Sequence, residues 1–265
     1  MVATAGAVKS TARAALKDNW LKSIIAALIF IFTFFILYIA SALLSYVLPT
    51  FAIGALWGLF AVFLLAPLGM GLLRFYWRVM WDADDEIITV FHFFSEKEQY
   101  IRVIKLAFAY IVKIVYIGFL LFLPSVITEI FSNGRVYEMV GFSAPSWASS
   151  LYLVSVFLKS AAVVLLIILM IKYYLAPFFV IADEEMDIWE AMHKSTVLAV
   201  ATGMDFILLV ISLSGWILLS LITIPLPFTL PYFAVSYLVH SRFATANYNK
   251  VVKEFDSKGA ISQLD

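Results

Sequence analysis

The sequence predicts an all-α polytopic membrane protein, and three observations carry that expectation. Of its 265 residues, 64% are hydrophobic and 14% charged, and the mean hydropathy is +0.99; a soluble domain of this length cannot bury so much apolar surface. The apolar residues gather into six stretches long enough to cross a bilayer. The cations fall almost entirely in alternate connections between those stretches.

A helix crossing about 30 Å of hydrocarbon at 1.5 Å per residue needs about 20 apolar residues. The six stretches run from Leu21 to Val47, Phe51 to Tyr76, Ile104 to Leu123, Leu151 to Tyr174, Phe206 to Ile224 and Leu226 to Phe243. The last begins in the proline cluster "IPLPFTLP". Lys9, Arg13, Lys17 and Lys22 precede the first. Arg74, Arg78, Lys97, Arg102 and Lys105 lie around the second connection, Lys172 and Lys194 around the fourth, and Arg242, Lys250, Lys253 and Lys258 follow the sixth. The opposite connections contain only Arg135. By the positive-inside rule both termini face the cytoplasm. The division is a six-helix transmembrane domain over 1–248 and a short polar cytoplasmic tail over 249–265. The N-terminus lacks a short apolar core followed by a small-residue cleavage site, so the first span is expected to direct insertion.

The cytoplasmic segments read as amphipathic helices in the membrane interface. "TAGAVKSTARAALKD", "DDEIITVFHFFSEKE" and "DIWEAMHKSTVLAVA" each have the length of three to four turns, and each leads through a polar turn and an aromatic residue (Trp20, Tyr100, Phe206) into a span. This suggests three repeats of an interfacial helix followed by a helical hairpin. The segment from Ser125 to Ser150, with turn signals in "SNG" and "SAP", reads as a cap on the outer face.

Composition excludes some chemistry. Formal charge is zero, so no basic excess points to nucleic acid, and the absence of cysteine removes disulfides, thiolate catalysis and sulfur-ligated metals.

In the last third, "AMHKSTVLAVATGMDFILLVISLSGWILLSLITI" and "PLPFTLPYFAVSYLVHSRFATANY" resemble a family of uncharacterised bacterial integral membrane proteins. The pattern is a short amphipathic helix ending in Ser195, Gly203 at a polar turn, "ISLSGW" ending in Gly215 and Trp216, and Pro231 with Tyr232 opening the last span. "ALKDNW" is similar to that family's entry into its first span. The family is also similar to the membrane domain attached to some glycerophosphodiester phosphodiesterases, which implies a link to lipids. It offers no catalytic residue to carry over.

The most chemical run, "DEEMDIWEAMHKST", places Glu190 and His193 in the Glu-x-x-His spacing of di-metal bundles. Such sites need a second copy, and His92 and His240 are preceded at the matching position by Thr89 and Tyr237. A simpler reading is a capped helix start: Asp187 and Glu190 complement the positive helix end, and Glu190 pairs with Lys194 at i,i+4. Trp189, Met192, Thr196 and Val200 then line the opposite stripe. "WDADDE" carries four carboxylates, Asp82, Asp84, Asp85 and Glu86, but lacks the later glycine and twelfth-position Glu of a calcium loop, and reads as a cap for a helix starting near Ile87.

Lys113 and Lys159 are the charges deepest in the predicted spans, about eight or nine residues in, within snorkelling reach of a face. No acidic partner is expected within the spans, since Asp205 lies at the cytoplasmic mouth of the fifth. Gly54 and Gly58 suggest close helix packing. Pro67 and Pro177 suggest kinks whose freed carbonyls need other donors. No nucleophile elbow or phosphate-cradling loop is present.

The expected function is non-enzymatic, with no cofactor or metal: binding or moving a lipid or small amphiphile, or shaping the membrane. The candidate contacts are Lys113, Lys159, Asp205, His193 and His240. The expected partners are membrane lipids and another membrane protein or a second copy forming a homo-oligomer. The alternative is a structural or regulatory subunit packing through its glycine faces; a lipid enzyme would need a cleft joining His193 or His240 to Asp205.

Overall fold

The computed structural model describes residues 4–81, 86–139, 141–143, 145–220 and 225–257. Among these residues all regular structure is helical. The helices are α1 (Ala5–Leu16), α2 (Trp20–Leu44), α3 (Thr50–Phe60), α4 (Ala66–Val79), α5 (His92–Ser95), α6 (Lys97–Ser132), α7 (Gly134–Met139), α8 (Ala148–Met170), α9 (Ala176–Ala182), α10 (Ile188–Ser212), α11 (Ser214–Ser220) and α12 (Leu226–Ser257). The chain forms two compact units, one from 1–107 with 173–265 and one from 108–172.

Among the described residues five helical stretches are long and apolar enough to cross a membrane: Trp20–Leu44, Thr50–Val79, Lys97–Ser132, Ser150–Ala182 and Ile188–Ser212. The most apolar window of Ser150–Ala182 is only 11% buried within the chain, so its hydrocarbon must be covered by something other than this chain's own core. The predicted sixth span is not among the five. In α12, Pro227, Thr229, Pro231, Ser236 and His240 dilute the apolar residues.

In the first unit the core forms where helices present buried residues at three- and four-residue spacing. α1 buries Val8, Ala12 and Leu16; α10 buries Ala191, Ser195, Leu198 and Thr202; α12 buries Tyr232, Val235, Ser236, Val239 and His240. α1 begins at Thr4, whose hydroxyl accepts the Ala7 N–H at 3.4 Å. α4 is buried along most of its length, and Gly71 lets the turn around Val90 lie directly on it: a Cβ at Gly71 would sit 1.9 Å from the Val90 carbonyl oxygen.

Pro67 bends this stretch in an identifiable way. Lacking an N–H, it frees the carbonyl of Phe63, four residues back. The helix widens to a π turn over Ala61–Leu65, and the Tyr100 hydroxyl donates to the Phe63 carbonyl at 2.9 Å. The expected kink thus has its donor.

Several expectations change. The fifth span, Phe206 to Ile224, is not one rod preceded by a separate interfacial helix. α10 runs unbroken from Ile188 past Gly203, which is buried, and breaks at Leu213 before α11. Its N-terminus follows the capped reading: Asp187 accepts the Trp189 N–H at 3.0 Å, and Lys194 pairs with Glu190 at 2.7 Å. Its inward stripe differs, because Trp189 and Val200 are exposed while Ile188, Ala191 and Ser195 are buried.

The second interfacial segment is shorter than expected. It is a 3₁₀ turn over Ile87–Phe91 followed by α5, and it is pinned by buried Val90 and Phe93. The three proposed repeats therefore differ in form. Asp82, Asp84 and Asp85 lie outside the described residues; Glu86 occupies the position before the 3₁₀ turn without a side-chain cap bond. A Cβ added at Gly54 or Gly58 would meet nothing within 4 Å, so the chain itself does not use them for close packing.

Cations expected only to orient the chain also hold it together. Arg102 donates to the carbonyls of Asp183 at 2.6 Å and Met186 at 2.5 Å, closing the end of α9. Arg74 pairs with Glu184, and Arg242 lies 3.9 Å above the Trp81 ring.

In the second unit α6 continues through Pro124 to Ser132, so the first part of the expected outer cap is helical. That extension supplies the acid not expected from the sequence: Glu129 pairs with Lys159 at 2.5 Å.

Candidate functional site

The chain between α8 and α9 unwinds over a 3₁₀ turn, Ile171–Tyr173, and the turn residues Tyr174 and Leu175, ahead of Pro177 in the first turn of α9. Unwound backbone among apolar helices needs partners, and side chains provide them. The Leu175 N–H donates to Ser195 Oγ at 3.0 Å, and the Tyr237 hydroxyl donates to the Tyr174 carbonyl at 2.7 Å.

Tyr174 is the hub of this region. Its hydroxyl lies 2.8 Å from Thr202 Oγ1 and 3.0 Å from His240 Nε2, and its ring stacks on Phe206 with centroids 4.2 Å apart. Thr202 gives its own proton to the Leu198 carbonyl at 2.8 Å. It therefore accepts from Tyr174, whose oxygen in turn accepts from a protonated His240 Nε2. His240 is 1% exposed. Asp205 is within electrostatic reach of it.

The other expected contacts are dispersed. His193 is exposed and lines a separate cavity of about 440 Å³ with Phe178, Asp183, Lys194 and Asn249. Lys159 is in its ion pair with Glu129, and Lys113 lies on α6 in the same unit. Among the described residues no three of the His, Asp and Glu side chains group as metal ligands would.

A cavity of about 710 Å³ lies elsewhere in the first unit. Lys9 and Arg13 of α1, Trp20 and Ile24 of α2, Trp216 of α11, and Pro225, Phe228 and Tyr232 around the start of α12 line it. Its wall is aromatic and aliphatic, with Trp216 and Tyr232 in edge contact at 5.8 Å. Lys9 and Arg13 add two cations to the lining. The Lys9 ammonium donates to the Ser212 carbonyl at 3.3 Å, joining α1 to the end of α10.

Charge placement puts Pro225 and Phe228 on the face opposite Lys9 and Arg13, yet they line one cavity. The break at Leu213 is the physical reason: α11 follows it and packs on the start of α12, with Ser220 Oγ donating to Thr229 Oγ1 at 3.0 Å, while α12 also packs on α1. In the sequence, Lys9 and Arg13 mark only orientation and Trp20 only an interface. The one signal that could have grouped them is the pairing of a basic helix with an aromatic entry to the next span.

Comparison of the chain with protein-family models, with curated proteins and with solved structures returns no match. What the cavity takes is therefore read from its own chemistry. At about 710 Å³ it falls in the range of about 300–1,000 Å³ typical of small-molecule sites. An aromatic wall with two cations in the lining suits an amphiphile.

Proposed function

We propose that this is a non-enzymatic multi-pass protein of the bacterial cytoplasmic membrane that binds or moves a lipid or small amphiphile, with its cavity between α1, α2, α11 and α12 as the site. The single observation that carries this reading is that a roomy apolar cavity, walled by Trp20, Trp216, Phe228 and Tyr232, opens beside a basic N-terminal helix. The hydrocarbon chain lies along the rings, and the head lies toward Lys9 and Arg13. The likeness of "ISLSGW" and its surroundings to a family similar to a lipid-linked membrane domain points the same way.

Purification in mild detergent followed by native mass spectrometry tests it. The protein is expected to retain bound lipid, and Trp216→Ala with Phe228→Ala to lose most of it, since each removed ring takes away a large part of the apolar contact. A wild-type protein that carries no lipid would overturn the reading.

The charge pattern supports cytoplasmic termini, an orientation that needs an even number of crossings and for which the sequence offers six apolar stretches. The natural absence of cysteine makes labelling clean. Asn133→Cys should react with an impermeant thiol reagent from outside intact cells and Lys250→Cys only after the membrane is opened. The opposite pattern refutes the orientation.

A further inference from the structure

Lys9 and Arg13 set the charge that a bound head group would meet in the cavity. α1 carries Lys9 and Arg13 four residues apart, Lys17 follows at the same spacing, and the helix contains no acidic residue. Like charges at this spacing repel along a helix. Among the described residues no carboxylate comes within ion-pair distance of Lys9 or Arg13.

Their donors are largely unspent. Arg13 uses its Nε toward the Lys9 carbonyl at 3.3 Å, which leaves both terminal guanidinium nitrogens without a partner among the described residues. Lys9 spends one of three ammonium protons on Ser212 at 3.3 Å. A guanidinium fork and an ammonium one helical turn apart, lining a largely apolar cavity, match the oxygens of a phosphate. Trp20 and Trp216 add two indole N–H donors, neither with a hydrogen bond among the described residues, on the wall where a lipid's ester carbonyls would pass.

We propose that the site selects a net-anionic glycerophospholipid, with the phosphate on Arg13 and Lys9 and an acyl chain along Trp216, Phe228 and Tyr232. The proposal rests on the amphiphile reading above. A zwitterionic head fits less well because its own ammonium would enter a region that already holds two unpaired cations.

The test is competition in lipid nanodiscs containing equal amounts of phosphatidylglycerol and phosphatidylcholine with identical chains, followed by native mass spectrometry of the lipid that stays bound. Phosphatidylglycerol should be enriched roughly tenfold or more, the scale that two cations near a membrane surface produce. Lys9→Gln with Arg13→Gln should abolish the preference while bound lipid remains; if that double variant does not fold, Arg13→Gln alone, at an exposed side chain, should reduce it. Arg13→Lys should keep part of it. Equal retention of both lipids, or an unchanged preference in the charge-neutral variants, overturns the anionic assignment and leaves amphiphile binding standing. Absence of any bound lipid overturns both. Displacement of the bound lipid by excess inorganic phosphate would make the site one for free phosphate and overturn the lipid assignment.

Discussion

Replacing Gly71 by alanine is expected to destabilise the protein by about 3 kcal/mol, the upper end of the usual cost of overpacking a core. A new Cβ would stand 1.9 Å from the Val90 oxygen and 2.8 Å from its carbonyl carbon. These are backbone atoms, so no flexible side chain can give way. Relief requires lifting the 3₁₀ turn Ile87–Phe91 off α4, which uncovers Val90 and Phe93, both 0% exposed. Alanine would gain at most about 1 kcal/mol from better helix propensity, so the clash wins. Gly54→Ala and Gly58→Ala are the internal controls: with nothing within 4 Å, only the propensity gain applies, and they should be neutral or slightly stabilising. Unfolding midpoints of the three variants in one detergent check the expectation, and equal midpoints would contradict it.

Tyr174 should give the second large effect, in two separable steps. Tyr174→Phe removes only the hydroxyl, leaving His240 Nε2 in a site that is 1% exposed with its partner gone. An unsatisfied buried group costs about 1–3 kcal/mol. Tyr174→Ala also removes the ring stacked on Phe206 at 4.2 Å, raising the loss toward about 3–5 kcal/mol for a deleted aromatic. Unfolding midpoints measure both. If Phe and Ala cost the same, the hydroxyl network rather than the ring is what holds the unwound segment beside α9, and if neither costs anything the network is not formed.

Much of the fold was legible because bilayer physics acts on single stretches of chain. Length and apolarity alone locate Trp20–Leu44, Thr50–Val79, Lys97–Ser132 and Ser150–Ala182, since a helix in hydrocarbon satisfies its own backbone and needs no distant partner. The N-terminal cap of α10 was equally local, requiring only Asp187, Glu190 and Lys194 within two turns. The break at Leu213 was not legible. "LLVISLSGWILLS" reads as continuous apolar helix, and nothing in the run distinguishes a rod from a broken helix.

The candidate site was less legible still. His240 stood among the candidate contacts with Asp205 as its acid, but its place in the network depends on Tyr174 and Thr202, each far from it in sequence. Lys159 looked unpaired because its acid, Glu129, lay beyond a proline taken as a helix end. Lys9 and Arg13 looked like topology signals because their aromatic neighbours Trp216, Phe228 and Tyr232 sit in the last quarter of the chain.

By itself the sequence determined that this is an all-α protein with several helices able to live in a bilayer, where its cations gather, and how α10 is capped at its start. These properties follow from hydrophobicity, charge and capping, which act within about twenty residues. Only the tertiary structure decided that the basic first helix meets Trp216, Phe228 and Tyr232 around one cavity, and that Tyr174, Thr202 and His240 share one set of protons. Both depend on where a helix breaks and which faces then meet, and packing between distant segments sets that.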